Sequence, residues 1–272
     1  MKKIIFWISV SLMLVFWPIS FYFANNDTWP IFASAILVLL VDWILYSRKN
    51  IYHDFLYLIL PLIHPAYLIF PIIAVLPYVK DMKKIPLGIY AVLLILMSLF
   101  SYKTFYAYSI FTPDPLARDT LIKKISLIPS RNLARIFENK TTVSQEKFKD
   151  NIFLSSDLNN YFFSLHPREV GGNQNLNKYP YLAIVPFLLG LFFILENIHR
   201  KWITTTYIAA VISIGLINNQ DKFDVLIYLP ISLLCFYGLK KLANTSTKYF
   251  WIFSLVFIPV TIIELIRMFV VK

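Results

Sequence analysis

Apolar runs of membrane-crossing length recur from one end of this chain to the other, and this excludes most soluble folds. A bilayer core is about 30 Å thick and takes about 20 helical residues. Runs close to that length occupy residues 4–24, 29–46, 85–102, 179–198, 202–217, 225–239 and 249–270. An eighth, 51–79, is interrupted by Pro61, Pro65, Pro71 and Pro77. Of 272 residues, 58% are hydrophobic and 15% charged, more apolar surface than a soluble core of this length buries. The expected fold class is an all-α polytopic integral membrane protein. It has seven to nine membrane segments, a proline-broken hairpin among them, and one small helical extracytoplasmic domain.

The lysines test the proline-rich segment, because short loops rich in Lys and Arg stay in the cytoplasm. With the N-terminus inside and a single crossing at 51–79, the residues Lys80, Lys83, Lys84, Arg200, Lys201, Lys240, Lys241 and Lys248 all fall outside. If 51–79 enters and leaves on one side, all of these join Lys2, Lys3, Arg48 and Lys49 inside, and only Lys222 and Lys272 remain outside. The hairpin is therefore the expected form, turning near His64-Pro65, since proline removes a backbone donor and disfavours helix at the residue before it. His53, Asp54 and His64 read as structural partners of the irregular backbone rather than metal ligands.

The N-terminal run follows Met1-Lys2-Lys3, is some twenty residues long and ends Tyr22-Phe23-Ala24 without a small residue at −3, so it is expected to be an uncleaved anchor. The net charge of +11 does not form a continuous basic face with interleaved aromatics, so no nucleic acid is expected as a partner. Cys235 is the one cysteine, which rules out an intrachain disulfide and a Cys-based metal site.

Composition divides the chain into N-terminal membrane segments at 1–102, an outward helical domain at 103–178 and C-terminal membrane segments at 179–272. In the insert, "LARDTLIKKISLI" places Leu116, Leu121, Ile122, Ile125 and Ile128 at helical spacing. "SRNLARIFENK" restarts a helix capped by Ser130, with Arg131 and Arg135 one turn apart. A third helix is expected over 144–153. Asn139-Lys140-Thr141 matches a glycosylation sequon. The return to the membrane carries Tyr161, Phe162, Phe163, Tyr179 and Tyr181, aromatics suited to the headgroup level. Between them, Gly171-Gly172 and the neighbouring amides read as an irregular loop. His166-Pro167-Arg168-Glu169 stands within it, where arginines could hold a phosphate and His or Glu could move a proton. Equally, Arg168 and Glu169 could pair with neighbouring charges while His166 caps a turn.

Three stretches resemble the GT-C superfamily, membrane glycosyltransferases that use polyprenyl-phosphate-linked sugars: "LPLIHPAYLIFPIIAVLP", "KYPYLAIVPFLLGLFFIL" and "DKFDVLIYLPISLLCFYGLKKL". Together they cover the later half of such a protein. The family's long, acidic first outward loop is here only "NNDTWP", with Asp27 as its sole acid. The resemblance therefore implies a non-catalytic or degenerate relative in the cell envelope, whose outward domain binds a lipid headgroup or a partner. The alternative is an active transferase, with Glu169, Asp157 or Asp27 as base, His166 as helper and Arg131, Arg135 and Arg168 on phosphate. A transporter is a third reading. No cofactor is expected, a divalent metal entering only with catalysis. The expected place is the plasma (inner) membrane, with the N-terminus cytoplasmic and 103–178 outside.

Overall fold

The structure, a computed structural model, describes residues 1–24, 26–49, 52–80, 82–112, 115–127, 130, 139–163, 169–170, 174–175, 177–218 and 223–270. It describes the backbone alone at 23–24, 26, 115–118, 120, 169–170 and 174–175. The chain packs into two compact units, Met1–Lys49 with Asp157–Tyr207 and Val225–Lys272, and Asn50–Ser156 with Ile208–Asp224. Both units therefore draw on stretches from either side of the boundaries expected at 102 and 178.

The first unit is built on α1 (Lys2–Ala24), α2 (Trp29–Ser47), a short helix near the return from the insert, and two C-terminal helices. In the numbering used below, α3 (Leu60–Ile63) to α7 (Lys140–Ser156) belong to the second unit, and α8 (Asn159–Phe162) and α9 (Ile184–Phe192) to the first. Helix α10 (Arg200–Gly215) contributes its first half to the first unit and its second half to the second. Helices α11 (Val225–Thr245) and α12 (Thr247–Val270) complete the first. Pro18, Pro230 and Pro259 lie inside α1, α11 and α12, as membrane helices tolerate when neighbouring groups re-satisfy the freed backbone. Among the described residues, α1, α2, α5 (Lys84–Tyr108), α11 and α12 are the five helices long and apolar enough to cross a membrane.

Helix α11 is the axis of the first unit, with 72% of its most apolar stretch buried. Its closest neighbour is α9. A Cβ at Gly190 would overlap the Leu234 carbonyl, and one at Gly238 would overlap the Pro186 carbonyl and stand 2.6 Å from the Gly190 nitrogen. Lipid tails are as apolar as leucine, so membrane helices associate through such close backbone approach rather than through a hydrophobic drive. Residues 179–198, expected as one spanning helix, instead form the nine-residue α9 flanked by 3-10 turns at Tyr181–Ala183 and Ile194–Glu196. Pro180 and Pro186 cause this, since neither can donate to a preceding turn. The steeper rise of the 3-10 turns still gives the path a length of about 27 Å.

In the second unit, residues 51–79 double back on themselves. The His53 ring lies 5.2 Å from that of Tyr78, and the Tyr57 ring 5.4 Å from that of Phe70. The turn is at His64, extended at φ −152° and ψ 130°, as a residue before proline prefers. Its Nδ1 accepts from the Ala66 N–H at 3.1 Å and so caps the next turn. Much of each arm is 3-10 rather than α, including His53–Ile59, at about 2.0 Å rise per residue. The arms accordingly reach further than α-helices of equal length. Phe55 meets Tyr90 near the start of α5, and His64 meets Tyr108 at its end, 4.9 Å between rings. On α5 itself, Ile85, Leu99 and Phe100 are 78%, 73% and 86% exposed, an apolar surface at home only against lipid.

Helix α6 (Pro115–Leu127) begins at a proline, where no donor is needed. Helix α7 starts four residues before the expected position because Asn139 caps it, its Oδ1 accepting from the Thr142 N–H at 3.0 Å. The second expected helix of the insert, with Arg131 and Arg135, falls mostly outside the described residues. The region around Gly171-Gly172, expected as irregular, is bordered by β1 (Glu169–Val170) and β2 (Gln174–Asn175), which pair antiparallel with Glu169 opposite Asn175. The described residues are thus helical apart from this two-residue ladder, consistent with an all-α membrane protein.

Candidate functional site

Among the sequence-predicted site residues, Asp27 is exposed in the 3-10 turn Asn26–Thr28 that joins α1 to α2. Asp157 accepts the Asn159 N–H at 2.9 Å and starts α8, a local role that any helix start can require. Glu169 is placed through its backbone, in a strand lying against α1. Arg131, Arg135, His166 and Arg168 lie outside the described residues.

Around that strand the first unit holds a centre that composition did not reveal. Lys178 is 1% exposed, with its Nζ 5.4 Å from the ring of Trp17 and 5.0 Å from that of Tyr161. The Tyr179 hydroxyl donates to the Tyr228 carbonyl at 2.9 Å and shares a hydrogen bond of 2.7 Å with Ser232. Tyr228 in turn donates to the Leu14 carbonyl at 2.6 Å, tying α11 to α1. Tyr161, Phe162 and Tyr179, expected at the headgroup level, are therefore interior, while Phe163 and Tyr181 are 43% and 40% exposed. A desolvated ammonium over aromatic faces gains about 2 kcal/mol from the ring quadrupoles. That offsets part of the cost of burying it.

A second ionisable side chain is buried on α2. Asp42 on α2 is fully buried and accepts from the Trp202 indole N–H at 2.5 Å. Tertiary packing brings Asp42 to a partner 160 residues further along the chain.

The second unit gathers a separate set at the hairpin turn. The His64 ring lies 4.6 Å from that of Phe223, and Tyr67 is fully buried within reach of the Asp224 charge. Asp224 is itself 4% exposed.

Beside this turn, helix α7 is fastened to two helix ends. Asn151 donates to the carbonyls of Gly215 and Ile217 at 3.1 and 2.8 Å, and Asn218 to those of Ser109 and Thr112 at 2.7 and 3.0 Å. Lys147 donates to the side-chain Oδ1 of Asn218 at 3.3 Å. Helices α5 and α10 both finish here, so their last carbonyls have no partner within the helix. The Asn151 amide supplies one to Gly215 at the end of α10, and the Asn218 backbone N–H supplies one to Tyr108 at the end of α5, at 2.9 Å. Phe148 and Ile152 lie against Gly215, where a Cβ would stand 2.9 Å from the first and 3.0 Å from the second.

Chemically, the described groups form buried, hydrogen-bonded or ring-stacked clusters of the kind that hold geometry. Among the described residues no three His, Cys, Asp or Glu side chains stand close enough to share a metal ion. Compared with known protein families, curated proteins and solved structures, the chain matches none.

Proposed function

We propose that the chain is a non-catalytic envelope protein related to GT-C-type glycosyltransferases, whose outward segment binds an anionic lipid headgroup. The observation that carries this reading is the fastening of α7 to the ends of α5 and α10 through Asn151, Asn218 and Lys147. A segment held that firmly serves as a platform beside the membrane rather than as a lid over a reaction. Asp157 is engaged in starting a helix, which further favours binding over catalysis.

Orientation has support within the first unit. Lys2 reaches Ala243 and Thr247, His199 lies beside Trp43, Tyr46 and Tyr237, and Lys241 pairs with Glu196. These contacts gather Lys2, Lys3, Arg48, Lys49, Arg200, Lys201, Lys240, Lys241 and Lys248 at one end, and under the positive-inside rule that clustering supports a cytoplasmic place for it. A second reading, an active transferase on polyprenyl-phosphate-linked sugars, draws on His64, Tyr67 and Asp224 meeting at the hairpin turn.

The test takes purified protein with vesicles of anionic and neutral lipid, and separately with a polyprenyl-phosphate-linked sugar. Binding to anionic vesicles without sugar release is expected. Replacing Arg131, Arg135 and Arg168 together by Gln should weaken that binding more than replacing Lys123, Lys140 and Lys149. Sugar release that is lost in Asp224→Asn would overturn the binding reading in favour of the second.

A further inference from the structure

At the lysine-rich end of the first unit, α9 and α11 touch through Gly190 and Gly238 and then part. Helix α9 stops at Phe192, the chain leaves as a 3-10 turn, and a cavity of about 300 Å³ opens between that turn and the last turns of α11. Its walls include Phe193, Glu196, Asn197, Lys240, Lys241 and Asn244.

The donors outnumber the acceptors. Lys241 is paired with Glu196 at 2.6 Å and lies 4.3 Å from the centre of the Phe193 ring, which fixes it in the wall. Lys240 has no carboxylate partner among the described residues, and its charge is felt at His199, which burial first and Lys240 second hold below the usual histidine value. Asn197 uses its carbonyl oxygen to accept from the His199 N–H at 2.8 Å, so its amide hydrogens remain to donate. The lining is therefore set for an anion. Directly beside it, Phe192, Leu195 and Ile198 are 78%, 75% and 79% exposed, an apolar rim that a water-soluble anion would leave uncovered. A molecule with both an anionic head and acyl chains satisfies both surfaces.

We propose that this cavity binds the phosphate headgroup of an anionic membrane lipid. Basic pockets between membrane helices at a lysine-rich face suit such headgroups, because each cation adds to the attraction of the negative leaflet. The site lies at the opposite end of α11 from the Tyr179–Tyr228 contact, and it does not depend on what the outward segment binds.

Native mass spectrometry of the full chain in neutral detergent, with phosphatidylglycerol or phosphatidylcholine added, tests this. Phosphatidylglycerol should be retained in preference to phosphatidylcholine, and retention at this site should persist when Arg131, Arg135 and Arg168 are replaced by Gln, which separates it from binding by the outward segment. The double variant Lys240→Gln, Lys241→Gln should lower retention about tenfold. The double variant Arg48→Gln, Lys49→Gln, which removes the same charge at the same end, should not. Asn244→Asp, at an exposed position of the same wall that leaves the Lys241–Glu196 pair in place, should also lower it, which keeps the test open if loss of Lys241 unsettles the fold. Equal loss in both double variants would show a diffuse basic surface, and equal retention of the two lipids would remove the anion from the site. Inorganic phosphate bound as tightly as the lipid would overturn the lipid assignment.

Discussion

At the residue scale, the glycines show how the same amino acid carries different weight by position. Gly88 on α5 has nothing within 4 Å of where a Cβ would stand, whereas Gly238 faces the backbone of α9. Gly238→Ala should force α9 and α11 apart and cost about 3 kcal/mol, the upper range for overpacking, because a carbonyl cannot move aside as a side chain can. Gly88→Ala should raise stability by up to about 1 kcal/mol, since alanine is the better helix former and meets no neighbour. Thermal unfolding in detergent distinguishes the two, and similar effects at both positions would contradict the close packing. The candidate site was less legible than these helices. Arg131, Arg135, His166 and Arg168 lie outside the described residues, and Asp157 proves to be a helix-starting residue. Lys178 drew no notice in the sequence, for its significance comes from Trp17 and Tyr161, distant or non-adjacent in the chain.

At the scale of elements, the proline-rich segment is the informative one. Four prolines deny the backbone its regular ladder, and the chain answers with 3-10 turns, a break at His64 and antiparallel arms. The break is stabilised by the histidine ring itself, which accepts from the Ala66 N–H and stacks near Tyr108 and Phe223. His64→Ala loses both functions; His64→Asn loses the ring contacts but keeps a side-chain acceptor suited to a cap. The asparagine variant should therefore be the more stable of the two by about 1 kcal/mol, the usual worth of a cap. Equal stabilities in detergent unfolding would mean that the cap contributes nothing.

At the scale of the whole molecule, the proposal with most leverage is that both ends of 51–79 lie on the cytoplasmic side. Cys235 is buried, so an impermeant thiol reagent applied to intact cells should find only introduced cysteines. Arg48→Cys and Lys83→Cys should both be shielded, and Lys140→Cys on α7 should be labelled. Labelling at position 83 with shielding at 48 would mean that the segment crosses once and would reverse the orientation of everything after it.

Apolar runs, prolines and flanking lysines are legible in the amino-acid order, because hydropathy, the missing proline donor and formal charge belong to each residue wherever it ends up. They sufficed for a helical membrane protein and for a turn at His64. Burial of Tyr161 and Tyr179 against exposure of Phe163 and Tyr181, the contact between Gly190 and Gly238, and the reach of Asn218 to the end of α5 were decided by the tertiary structure alone. Each depends on a partner supplied from a remote part of the chain, and in a membrane, where apolar burial no longer ranks one face above another, backbone fit and hydrogen-bond satisfaction choose that partner.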